Sequence, residues 1–66
     1  MVIAGYEIID QKPVEPGYEI VLGHHPSERC PQPWVTWIHK LGTDYFFWGH
    51  YFCDESDARK DLNERR

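Results

Sequence analysis

No apolar run in this chain of 66 residues approaches the ~18–20 residues that would carry a helix across a membrane. No basic stretch precedes the apolar residues at the N-terminus, so no signal peptide is expected and the expected compartment is the cytoplasm. Basic residues are scarce: 7 Lys and Arg stand against 11 Asp and Glu, for a formal net charge of −4. Ahead of Asp54 the only ones are Lys12, Arg29 and Lys40, too few for the positive stripe that duplex nucleic acid requires. Cysteine is limited to Cys30 and Cys53, and a reducing compartment favours two free thiols over a disulfide. The length excludes a multidomain enzyme or a large cofactor-binding fold, since one βαβ unit alone takes ~30 residues. A chain this short is not expected to enclose a substrate, so the expectation is one non-enzymatic domain over residues 1–66, without a cofactor.

Aromatic residues, by contrast, are abundant at 15% of the chain. All but Tyr6 and Tyr18 fall between Trp34 and Phe52. Each ring buries roughly 150–250 Å² when covered, while a domain near this size buries only about 60% of the surface of its unfolded chain. The rings therefore supply most of the expected core and leave a surplus.

The apolar and β-branched patterning predicts strands at about 2–9, 18–22, 34–41 and 45–52. Tyr6 and Ile8 share a face in the first. The second, Tyr18-Glu19-Ile20-Val21, resembles Tyr6-Glu7-Ile8-Ile9 in composition. Pro13, Pro16 and Gly17 predict an eight-residue loop over Asp10–Gly17. Residues 23–33, with three prolines and Gly23, form a longer irregular segment of the kind that often carries function. On the third strand Trp34, Thr36 and Ile38 oppose Val35, Trp37 and His39. The fourth, after a turn at Gly42, places Tyr45, Phe47, Gly49 and Tyr51 against Phe46, Trp48, His50 and Phe52.

From Asp54 the period changes to that of a helix, about 55–65. Asp54 is the expected N-cap, Glu55 and Asp57 suit the positive end of the dipole, and Arg59, Lys60, Arg65 and Arg66 lie toward the other end. Glu55–Arg59 and Asp61–Arg65 are spaced as i,i+4 pairs, and Ala58 and Leu62 form the apolar stripe. The predicted fold is α+β: a small antiparallel sheet of three to four strands in a meander, with one C-terminal helix packed on one face. One helix cannot cover both faces of the last strand. The uncovered rings call for the 23–33 loop, a second copy or a partner.

Four histidines and two cysteines raise the question of metal. His24 or His25, Cys30, His50 and Cys53 are the candidate ligands of a tetrahedral zinc in a zinc-stabilised mini-domain. The spacing argues against them, because Cys30 lies five or six residues beyond the histidines where paired ligands stand about two to four apart. No cysteine–histidine pair is positioned by the sequence for nucleophilic catalysis.

The stretch Val35-Thr36-Trp37, then Asp44 through Phe52, then the acidic-started helix resembles a group of small proteins of unknown function encoded on bacterial conjugative and other mobile elements. The resemblance spans residues 18–66 and is most specific at Trp48-Gly49-His50-Tyr51-Phe52. It implies a cytoplasmic bacterial accessory protein and supplies no activity or ligand. The functional expectation is a binding module whose aromatic sheet face or 23–33 loop contacts a protein or a second copy, with Trp34, Trp37, Trp48, His50 and Tyr51 as contact residues. The competing expectation is single-stranded nucleic acid stacked on the rings, with Lys12, Arg29, Lys40 and the tail arginines along the phosphates.

Overall fold

Residues 1–65 are described by a computed structural model; Arg66, expected near the end of the helix, lies outside the described residues. Five strands follow one another as β1 (Val2–Ile3), β2 (Tyr6–Glu15), β3 (Tyr18–His24), β4 (Trp34–Lys40) and β5 (Phe46–Phe52), and α1 (Glu55–Glu64) closes the chain. Their order in the single sheet is β1-β2-β3-β4-β5, every neighbour antiparallel. The sheet is a meander curled into a half-barrel, with one more strand than the patterning predicts. No helix among the described residues is long and apolar enough to cross a membrane.

The extra strand comes from the N-terminus. The expected strand over 2–9 breaks at Ala4 and Gly5, whose φ values of 52° and 87° fold Val2 and Ile3 back against Glu7 and Tyr6. The expected loop over Asp10–Gly17 is instead strand as far as Glu15. Pro13 is admitted because β1 covers only the first two residues of β2; the remainder is an edge, where a missing N–H breaks no ladder on the outer side. The hairpin then turns on Pro16 and Gly17 alone, with Gly17 at φ 88°, the proline-then-glycine order of a type II turn.

Central strands β3 and β4 bury side chains on both faces, and β4 alternates as its sequence predicts. Toward the helix, Ile20 and Leu22 pack with Ala58 and Leu62, joined by Val14, Trp34, Ile38 and Phe52. On the opposite face Tyr6, Val21, Val35 and Trp37 form a second cluster with Ile3, Ile8, Cys30 and Phe46. The irregular segment after β3 covers the Tyr6 end of that face: the Tyr6 hydroxyl donates to the Gln32 carbonyl at 2.9 Å, and the His25 N–H donates to the Pro33 carbonyl at 2.7 Å. Burial, then the hydrogen bond with Cys30, pushes the Tyr6 phenol up to about 12.

A register shift between Ile8 and Asp10 inverts the alternation of β2, so that Asp10, Lys12 and Val14 rather than Gln11 come to the helix side. Asp10 there meets Arg59 at 3.1 Å and Lys12 donates to the Asn63 carbonyl at 2.6 Å. The helix departs from its expected capping. Asp54 is the N-cap but makes no side-chain cap hydrogen bond, and no basic residue lies in the last turn. Glu55 and Arg59 do pair, at 2.7 Å. Asp61 turns to the sheet rather than to Arg65, which lies just past the helix as an extended C-cap.

Candidate functional site

The site begins with a packing conflict between β4 and β5. Trp37 is buried, and its indole lies against Gly49: a Cβ built on that glycine would stand 2.7 Å from Trp37 Nε1 and 2.9 Å from the Tyr51 ring. Only hydrogen fits there. Between the pairs Thr36–His50 and Ile38–Phe47 the single residue Trp37 faces two, Trp48 and Gly49. Trp48 takes up the extra length at φ 51° and is 73% exposed. A bulky residue in the left-handed region costs roughly 1–2 kcal/mol.

The bulge is held from behind by a polar cluster. Arg65 donates to the Trp48 carbonyl, and also to the Thr36 carbonyl at 3.1 Å and the Thr36 hydroxyl at 3.0 Å. Thr36, fully buried, in turn donates to Asp61 Oδ2 at 2.6 Å, and His50 Nδ1 lies 3.0 Å from the same oxygen. Burial lowers the pKa of the Arg65 guanidinium, and the charge of Asp61 opposes that shift. Helix and bulge are thereby fastened into one unit.

Beside this unit lies a cleft of about 360 Å³. Val14, Ile20 and Ile38 form its apolar floor, Tyr18, Phe47 and Trp48 its walls, and Glu15 is its single charged lining residue. Phe47 meets Tyr18 at 6.4 Å and 85°, Trp48 at 5.5 Å and 70°, and stacks on exposed Tyr45 at 4.8 Å. Together the four rings make a continuous aromatic patch beyond the C-terminal end of α1.

A smaller hollow of about 270 Å³ opens on the face away from the helix between Ile8, Val21 and Phe46. His39 forms part of its wall, with Nδ1 2.7 Å from Glu19 Oε2 and Nε2 2.7 Å from the Thr43 carbonyl, its ring stacked on Phe46 at 4.2 Å. Both partners are acceptors, so both ring nitrogens donate and the imidazolium fits this geometry best. Burial works against that charge, but the hydrogen bonds to Glu19 and Thr43, with the fields of Glu19 and Asp44, outweigh it and raise the His39 pKa.

The expected contact residues do not share one surface. Trp34 is half-buried on the helix side, stacked on His24 at 4.1 Å. Trp37 is 6% exposed and belongs to the core cluster away from the helix. His50 is exposed at its bond to Asp61, whereas Tyr51 is 44% exposed on the face away from the helix, edge-on to Tyr6 and Trp37. Only Trp48 joins the cleft. The expected alternation of β5 fails because the bulge puts Phe47 and His50 on one face and Phe46 and Tyr51 on the other. Tyr18, Phe47 and Tyr45 were not among the expected contacts; their signal is the turn at Gly42, which brings Tyr45 and Phe47 back alongside the strand that pairs with Tyr18.

The candidate zinc ligands are scattered. His24 is on the helix side, His25 packs edge-on to Tyr6, Cys30 Sγ is 3.5 Å from the Tyr6 hydroxyl, and Cys53 Sγ is 3.6 Å from the Pro31 carbonyl. Strand alternation separates the two adjacent histidines, and among the described residues no three His, Cys, Asp or Glu side chains are grouped to hold a metal ion. The candidate zinc set, against which the spacing already argues, is therefore not assembled, and both cysteines are free thiols. Compared with family models, curated proteins and solved structures, the chain finds no match.

Proposed function

We propose that the chain is a non-enzymatic binding module that contacts a protein partner, or a second copy of itself, through the patch of Tyr18, Tyr45, Phe47 and Trp48. One observation carries the reading: the residue held in the strained, exposed position of the bulge is a tryptophan, 73% accessible. Folding alone favours glycine there. Large rings of this kind dominate interface energetics, each about 2 kcal/mol or more when truncated. The bacterial, cytoplasmic accessory role implied by the resemblance of residues 18–66 belongs to the same proposal.

The test is Trp48→Gly. Removing the strain is expected to raise unfolding stability in urea by about 1 kcal/mol. The same change is expected to weaken partner capture or self-association about 30-fold, followed by quantitative affinity capture and sedimentation velocity. Contact that survives the substitution undiminished overturns the reading. Exposed rings also suit single-stranded nucleic acid, but the cleft offers a carboxylate where phosphates need cations, and steeply salt-dependent oligonucleotide binding would be the sign that this second reading is the right one.

A further inference from the structure

The geometry points to the occupant of the cleft: the aliphatic stem and ammonium head of a lysine side chain on the partner. This rests on the protein-contact reading and makes it chemically specific. The floor of Val14, Ile20 and Ile38 is apolar, the kind of surface along which lysines lay the methylene stem while the head reaches polar ground. The head would meet the rings of Tyr18, Phe47 and Trp48, whose planes stand at 85° and 70° about Phe47. Ring faces carry the negative end of the aromatic quadrupole and attract cations, and tryptophan does so most strongly.

Charge selects the same occupant. Glu15 is the one charged residue lining the cleft, and it is exposed. Among the described residues, Lys12 donates to the Asn63 carbonyl and Arg65 to the Thr36 and Trp48 carbonyls, and Lys40, paired with Tyr18 across β3 and β4, does not line the cleft. The chain as a whole carries a formal −4, which draws a basic partner and repels an acidic one. A purely apolar side chain would fill the floor but leave Glu15 without a partner.

The experiment uses two capped tripeptides, acetyl-Gly-Lys-Gly-amide and its norleucine counterpart, which keeps the stem and loses the charge. Each is titrated into the full chain while the backbone amides of Tyr18 and Phe47, which line the cleft in every variant, are followed by NMR. The lysine peptide is expected to bind at least about 5-fold tighter than the norleucine peptide. Glu15→Gln, at an exposed position that leaves the fold intact, is expected to narrow that ratio, and Trp48→Gly to remove the lysine preference. Equal binding of the two peptides overturns the lysine assignment while leaving an apolar contact site standing. Binding of neither overturns it as well; the protein-contact reading is then decided separately by the Trp48→Gly capture measurement.

Discussion

Gly49 and Trp48 are neighbours with opposite demands. Gly49 must remain hydrogen-only because Trp37 and the Tyr51 ring occupy the space a methyl would need. Trp48 carries a large ring in a backbone conformation that suits no side chain well. The first is a requirement of packing and the second is not, so substitutions at the two positions should part company. Gly49→Ala forces Trp37 or Tyr51 to move and is expected to destabilise by about 1–3 kcal/mol, the range for overpacking a tight site. Thermal or urea unfolding measures it; an unchanged midpoint would mean that the Trp37 indole yields freely and does not set the bulge.

Among the elements, α1 does more than cover the sheet. Its Ala58 and Leu62 close the helix-side core, but Asp61 and the C-cap Arg65 reach past it to Thr36 and the β5 bulge. Asp61→Ala leaves the fully buried Thr36 hydroxyl without its acceptor and removes the charge facing Arg65. The expected loss is about 1–3 kcal/mol, and in hydrogen exchange the amides of β5 near Trp48 should lose protection before those of β3. The ladder of β3 and β4, the helix and its Ala58–Leu62 stripe were all legible in the sequence, because each follows from local periodicity. The course of β2 was not: whether Pro13 ends a strand depends on whether a neighbour lies on its outer side, which is a fact of topology. The bulge was also hidden, since it arises from Trp37 meeting Gly49 across two strands. That one slipped residue redistributed the rings of β5, putting Phe47 on the face of His50 and leaving Trp48 at the cleft.

At the scale of the molecule, a sheet whose helix covers one face has to stabilise the other by different means. The segment after β3 closes one end over Tyr6. At the other, His39 bridges β3 and the β4–β5 turn through Glu19 and the Thr43 carbonyl. Because these bonds and charges raise the folded pKa of His39 above its ordinary 6.5, protonation and folding favour each other. The stabilisation is fully present below the unfolded value of about 6.5 and is lost as pH rises through the higher folded value. Urea unfolding from about pH 5 to about pH 9 should therefore show wild type losing stability relative to His39→Gln as the pH rises. Parallel curves for the two proteins would show that the imidazolium does not tie the turn to β3.

The bulge also bears on how strangers are kept off the sheet. Strand β5 ends the strand order, and a terminal strand ordinarily offers a run of unpaired amides and carbonyls on which another chain can crystallise into fibrils or add itself as one more strand. Here the even spacing of that run is broken at Trp48–Gly49, and the Trp48 carbonyl is already occupied by Arg65. Templated strand addition along the full length of β5 is blocked at its midpoint. At this edge an incoming chain is left to be recognised by the chemistry of its side chains rather than by the backbone that every polypeptide shares.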